Sequence, residues 1–503
     1  MSELTSSKTF FGHPRQLSTL FHIELWERFS FYGMQGILAI YLYHSVGEGG
    51  LGFSKAVAGG IVGAYGGSVY LSPILGGWLA DRVLGSERTL FWSGVVVMAG
   101  HIVLALLPGV AGLVGGLILI GAGSGGVKAS AGTMVGSLYE SEDTRPLRDA
   151  GFSIFYIAIN IGALLGPLLT GWLQVNYSFH HGFGAAAVGM AFGLWQYGRG
   201  RGRLPKSEVP NPLPAGRRNL VLGLVLAAVV AVVLLVRADV LNVKNFSSAL
   251  SILVLTISLL YFAFLLANRK VSAGEKRHIA AYIPLFAALC VFWALWYQVY
   301  TSVTVYFDKT VLRQVVAPEW LRGWAPLTAL GVDPASGRFE IPVGWLASLQ
   351  AMWVIALSGV MAALWSKMGR FQPKATVKFS LALLGVGASY LCFVPYVHSG
   401  VPLPLMLFSL VILAITVSEL LISPISMSLI TKIAPAHFKT QMVALNYLAF
   451  SLGFTLGGKL FHTYYEALGQ ERFYMMLGTI GLAAGAVMLL CSPFLNRMMN
   501  QLD

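Results

Sequence analysis

Apolar runs long enough to cross a lipid bilayer return along the whole of this chain. LFWSGVVVMAGHIVLALLPGV, LVLGLVLAAVVAVVLLV and LALLGVGASYLCFVPYV are three of them. A spanning helix needs ~20 predominantly apolar residues, and it must satisfy its backbone polar groups within itself. Only 11% of the 503 residues are charged and 56% are hydrophobic, whereas a soluble domain carries about 25% charged residues. Strand-like alternation is absent, which argues against a membrane barrel. The expected fold class is an all-α polytopic membrane protein.

The formal net charge of +13 would suit a nucleic-acid partner, but its distribution excludes one. Lys and Arg collect in alternate loops: Arg82 and Arg88, then Arg145 and Arg148, then Arg199, Arg201, Arg203, Lys206, Arg217 and Arg218. Arg269, Lys270, Lys276 and Arg277 follow, and then Lys367, Arg370, Lys374 and Lys378. The loops near residues 108, 176 and 399 have neither. This is the positive-inside pattern, and it puts both termini in the cytoplasm of a multi-pass inner-membrane protein. Cys290, Cys392 and Cys491 are scattered through apolar segments and form neither a disulfide framework nor a CxxC metal site. The first apolar segment is too long and too charged for a cleavable signal.

Counting apolar segments against the basic loops gives about fourteen helices. Six precede Gly198. The linker GRGRGRLPKSEVPNPLPAGRRN follows, rich in Pro, Gly and Arg. Two nearly unbroken apolar helices near 219–236 and 246–268 are expected at the lipid-facing periphery. Six more run from about Ala280 to Phe494. The expected domains are an N-terminal six-helix bundle over 1–197, a linker with two added helices over 198–276, and a second bundle over 277–503. Two such halves around a cavity are the logic of a rocking secondary transporter. The long loop at about 306–341 reads as an interfacial segment without chemistry of its own.

Against this apolar background the charges inside ELWERFSFYG (24–33) stand out. A charge at the bilayer centre costs about 2.5–3.5 kcal/mol even on insertion scales. Glu24, Arg28, Phe31 and Gln35 share one helical face, and Glu27 lies beside it. Lys128 falls in a fourth helix and Glu419 in a tenth. Structural ion pairs between helices are one reading. A polar cavity that binds a charged substrate and moves protons is the other. One arginine does not neutralise two carboxylates, so the pair offers a titratable switch. Lys128 and Glu419 would attract opposite ends of a zwitterion.

ELWERFSFYG resembles the ExxERFxYYG motif of the proton-coupled oligopeptide transporters, a branch of the major facilitator superfamily. GGWLADR (76–82) looks like the loop signature after the second helix. FSIFYIAINIGALLGP (152–167) resembles the fifth-helix signature, and SELLISPISMSLITKIAP (418–435) the tenth-helix one. The resemblance spans essentially the whole chain, including the two extra helices of bacterial members. It implies a major facilitator fold of two six-helix bundles plus two central helices, and proton-driven uptake of di- and tripeptides by alternating access. It assigns proton coupling to Glu24, Glu27, Arg28 and Lys128, with Lys128 also meeting the peptide carboxylate. Glu419 would hold the peptide amino group, and Tyr32, Tyr70 and Asn160 would contact its backbone. Ser423 and Gln350, the latter in place of the usual eighth-helix asparagine, complete the substrate set. Asp81 and Arg82 read as a conformational latch. The implied partners are peptide, protons and the lipid bilayer, with the monomer as functional unit and no cofactor or metal.

The chain departs from the family pattern at several positions. Phe31 replaces a tyrosine and Ala129-Ser130 replaces Pro-Asn. Tyr297 stands where many bacterial members have glutamate, and Asn446 where they have tryptophan. Without that seventh-helix acid, Lys128 is expected to pair with Glu24 or Glu27. GAGSGG (121–126) satisfies a dinucleotide fingerprint but lacks a βαβ setting; its small residues suit close helix contact instead. His101, mid-helix, is either a hydrogen-bonded structural histidine or a secondary proton-sensitive group. No nucleophile–base pair or HExxH spacing points to an enzyme. An anion transporter and a drug/proton antiporter of the same superfamily, and a non-transporting nutrient sensor, are the alternatives.

Overall fold

The computed structural model describes residues 9–205, 209–238, 240, 245–435 and 437–499. Both chain ends and part of the basic linker, Lys206 included, lie outside the described residues. The helices in chain order are α1 (Gln16–Tyr43), α2 (Lys55–Leu79), α3 (Ser86–Leu106), α4 (Gly109–Ser137), α5 (Arg148–Asn176) and α6 (Phe179–Gly200). Next come α7 (Ala215–Arg237), α8 (Phe246–Ala267), α9 (Ala273–Trp296), α10 (Ser302–Lys309), α11 (Ala325–Ala329) and α12 (Trp345–Met368). The last are α13 (Ala375–Leu391), α14 (Val394–Ser399), α15 (Leu405–Ile433), α16 (Lys439–Leu468) and α17 (Gln470–Met499). Fourteen of these, all but α10, α11 and α14, have 17 residues or more, which agrees with the number read from the apolar runs. Nine stretches among the described residues are also apolar enough throughout to cross a membrane. Helix α1, outside these nine, carries the charges Glu24, Glu27 and Arg28 in its interior.

The chain divides into two compact units. One comprises Met1–Leu38 and Leu71–Asn242, the other Ala39–Tyr70 and Val243–Asp503. In the first, α3 packs on α4 and α6, and α5 on α6. In the second, α16 packs on α8 and α9, while α13 packs on α15 and α17. The C-terminal end of α1, the following loop and most of α2 therefore cluster with the later helices. The apolar α8 buries a stripe through Leu250, Val254, Phe262 and Leu265 and exposes Ile252, Leu253, Leu259 and Leu260. Such an outward apolar face suits lipid contact.

The 306–341 loop carries more structure than its sequence suggested. Strand β1 (Val311–Leu312) pairs in parallel with a short strand at Leu403–Pro404, and β2 (Gln314–Val316) pairs antiparallel with β3 (Arg338–Glu340). These strands are two or three residues long, too short to leave an alternation signal. Asp308 accepts a hydrogen bond from Tyr43 Oη at 2.9 Å and lies 2.9 Å from Lys309 Nζ and 3.7 Å from Arg313. Arg313 continues to Glu340 at 2.7 Å. The loop is thus pinned by a hydrogen bond to the end of α1 and by ion pairs to its own β-ribbon.

Close approach of α5 to α1 positions the charged turn. Gly162 lies against the Leu25 carbonyl and Gly166 against the Phe29 carbonyl, so a side chain at either would collide with backbone. Thr170 Oγ1 donates to the Gly33 carbonyl at 2.8 Å, tying the same two helices one turn further along. Small residues that admit such contact are a standard basis of helix association in lipid. Gly166→Val is expected to destabilise the fold by about 1–3 kcal/mol. Gly132→Ala, where among the described residues no atom of a neighbouring element lies within 4 Å of the added methyl, is expected to be neutral or to stabilise by up to about 1 kcal/mol. Thermal unfolding of the purified variants checks this; equal midpoints would contradict the packing role.

Candidate functional site

The N-terminal unit buries a cluster of four formal charges. Arg28 Nε lies 2.7 Å from Glu24 Oε1 and 3.2 Å from Glu27 Oε2. From α4, Lys128 Nζ lies 3.7 Å from Glu27 Oε1, and Ser124 Oγ donates to the same oxygen at 3.5 Å. The four side chains are between 0% and 9% exposed. The formal charges sum to zero, which is the condition for holding them in an apolar interior. Helical geometry sets the arrangement. Glu24 and Arg28 are one turn apart on α1, and Glu27 beside them turns toward α4.

Lys128 pairs with Glu27, as expected once Tyr297 replaces an acid. The Phe31 ring lies 4.6 Å from Lys128 Nζ, so the residue that lost a hydroxyl offers a π-face to the ammonium instead. Tyr32 is half-buried with its ring 5.2 Å from that of Phe31. Asn160 spends its amide N–H on the Tyr156 carbonyl of its own helix. The GAGSGG segment of α4 behaves as a contact surface: Gly125 presses on the Ser72 backbone of α2, and Gly123 and Gly126 on Ser93 of α3.

His101 corrects one expectation. It is fully buried, and neither ring nitrogen has a hydrogen-bond partner among the described residues, so the hydrogen-bonded structural reading does not hold. Glu27 is close enough to act on it electrostatically. At the end of α2, Arg82 Nη1 donates to the Asn211 carbonyl at 3.3 Å. The backbone N–H groups of Asn211 and Leu213 in turn donate to the Asp81 and Arg82 carbonyls. The linker after α6 is docked on this turn, a contact for which the sequence held no signal.

The C-terminal unit contains an acid in a different setting. Glu419 on α15 accepts hydrogen bonds at Oε2 from Trp296 Nε1 at 2.9 Å and from Gln350 Nε2 at 3.1 Å. Both donors are neutral, and among the described residues Glu419 makes no ion pair. Trp296 escaped the sequence reading because nothing in FWALWYQ distinguishes a donor tryptophan from a packing one. Gln350, placed in the substrate set, here holds the carboxylate. Ser423 follows one turn after Glu419 on the same face. Tyr70 stacks on Phe450 with ring centroids 5.1 Å apart and meets Phe454 edge-on. Tyr297 donates its hydroxyl to the Val62 carbonyl at 2.9 Å. Asn446 is buried with Oδ1 lacking a hydrogen-bond partner among the described residues.

A sequence profile described as the POT family matches residues 87–475. The chain is 38% identical over 502 residues to an uncharacterized transporter, YclF, of Bacillus subtilis (strain 168), covering 98% of this chain and 96% of the relative. It is 37% identical to a di-/tripeptide transporter of Lactococcus lactis subsp. cremoris, covering 98% of each. A solved structure described as a POT family transporter in complex with a thioalcohol-conjugated peptide superposes with a TM-score of 0.87 at 31% identity, over 97% of this chain and 98% of that one.

The buried quartet makes a prediction about stability alone. Lys128→Ala leaves Glu27 short of a partner and is expected to destabilise markedly, on the scale of about 3–5 kcal/mol for a broken buried pair. Adding Glu27→Gln should recover part of that loss, with a coupling of about 0.5–3 kcal/mol. A double-mutant cycle by thermal unfolding measures it; strictly additive losses would show that the two side chains do not act on each other.

Proposed function

Because this chain belongs to the POT family, we propose that it is a proton-driven symporter that imports di- and tripeptides. Its fold is the major facilitator fold with two additional central helices. The domain reading (bundles over 1–197 and 277–503, with 198–276 between) and the cytoplasmic placement of both termini are part of this proposal. So are the inner-membrane location and the monomer as functional unit.

One contrast supports the reading most. Four charges neutralise one another around Arg28 and Lys128, whereas among the described residues Glu419 is held by neutral donors alone. A carboxylate without a counter-ion is suited to a substrate's ammonium group. A lysine whose partner carboxylate can be protonated is suited to a substrate's carboxylate. An anion transporter has no use for Glu419, and this argues against that alternative.

Coupling is then electrostatic competition. With Glu27 ionised, Lys128 is held at the carboxylate. A proton on Glu27 removes the charge that holds it and frees the ammonium for the peptide carboxylate, while Arg28 stays paired with Glu24. Glu419 takes the peptide amino group. Tyr32, Tyr70, Asn160, Gln350 and Ser423 contribute backbone contacts, and Asp81 with Arg82 latches the linker side. A membrane potential of about 100 mV supplies ~2.3 kcal/mol per charge, and one pH unit adds ~1.4 kcal/mol. One proton therefore supports an accumulation of several hundredfold, at about tenfold per 1.4 kcal/mol.

The test uses liposomes with an imposed inward proton gradient and labelled dialanine. Wild type is expected to accumulate peptide. Glu24→Gln and Glu27→Gln are expected to abolish gradient-driven uptake while keeping part of peptide counterflow. N-acetyl dialanine and dialanine amide should compete at least about tenfold less well than dialanine, the scale of one lost charged contact. Undiminished competition by both blocked peptides would overturn the two-charge recognition, and gradient uptake surviving both substitutions would overturn the coupling.

A further inference from the structure

A second basic site lies within the C-terminal unit, apart from Glu419 and its donors. A cavity of about 360 Å³ is lined by Lys374, Lys378 and Lys432 together with Gln372, Ser428 and Asn496, and among the described residues no Asp or Glu lines it. Helix α13 opens into it. Lys374 is its N-cap residue in extended conformation and provides no side-chain cap, so the first backbone N–H groups and the positive end of the helix dipole face the same space. That feature alone is ordinary. The second observation concerns Lys378, whose side chain lines the cavity although the residue is only 2% exposed. Its ammonium rests 4.0 Å from the Trp365 ring centroid, and among the described residues it makes no hydrogen bond or ion pair. A lysine side chain buried in this way without a counter-ion among the described residues carries a desolvation cost, and an aromatic face offsets only about 0.5–2 kcal/mol of it.

We propose that this cavity is a binding site for a phosphate group, supplied by the headgroup of an anionic phospholipid or by free phosphate. Three ammonium groups and a helix N-terminus match the charge and the several acceptor oxygens of phosphate. Ile425, Leu429 and Met499 line the same space and give it an apolar wall. The site belongs to the end of the bundle where the basic loops gather, the level at which basic pockets between spanning helices meet headgroups. Lys374 and Lys432 are exposed rims of the site, and Lys378 is its floor. The proposal does not depend on which solute the protein carries.

The experiment uses the full chain purified in detergent, with phosphatidylglycerol, phosphatidylcholine or inorganic phosphate as probe, read by native mass spectrometry and thermal unfolding. Phosphatidylglycerol is expected to stay bound through delipidation and to raise the unfolding midpoint, and phosphatidylcholine to do neither. Lys432→Gln, an exposed change that leaves the core untouched, should weaken phosphatidylglycerol binding about tenfold, the scale of one charged contact. Lys378→Met keeps the volume, removes the buried charge and should abolish retention. A midpoint shift with inorganic phosphate equal to that with phosphatidylglycerol assigns the site to free phosphate. The proposal is overturned if neither phosphate probe exceeds phosphatidylcholine on wild type, or if both variants respond as wild type does.

Discussion

Charge neutrality inside an apolar medium is the constraint on which the rest of this structure depends. Glu24, Glu27, Arg28 and Lys128 are tolerable at their depth only as a set, because each alone would carry the desolvation cost of an unpaired ion. The set in turn requires that α4 and α5 lie close to α1. Gly162 and Gly166 allow α5 to touch the turn that carries Glu24 to Phe29, while Lys128 and Ser124 reach Glu27 from α4. Packing and electrostatics therefore specify one another.

Glu419 sets the opposite case. Trp296 and Gln350 give its carboxylate neutral hydrogen bonds, with no compensating charge among the described residues. The second unit thus holds an acid with no counter-ion among the described residues, where the first holds a balanced set. Tyr297 belongs to the same logic. Its hydroxyl donates to the Val62 carbonyl, so this position too is filled by a neutral hydrogen bond.

The helices were legible because lipid enforces long apolar runs, and the charged cluster because charges inside such runs are conspicuous. The linker contact to Asp81 and Arg82, the role of Trp296 and the clustering of residues 39–70 with the later helices were not. Each depends on backbone carbonyls, on an indole N–H or on long-range packing, none of which alters hydropathy or periodicity. The short strands around Arg313 failed to register for a related reason: two residues do not make an alternation. His101 was visible as an oddity, yet only the absence of hydrogen-bond partners among the described residues separated the two readings of it.

The most direct measurement of the central claim is the number of protons exchanged when peptide binds. Calorimetric titration of the detergent-purified protein with dialanine, repeated near neutral pH in buffers of different ionisation enthalpy, gives that number. The account predicts net uptake of about one proton per peptide in wild type, because binding at Lys128 displaces an ionised Glu27, and none in Glu27→Gln. Peptide binding with no proton exchange in wild type, or with the same exchange in both proteins, would contradict it.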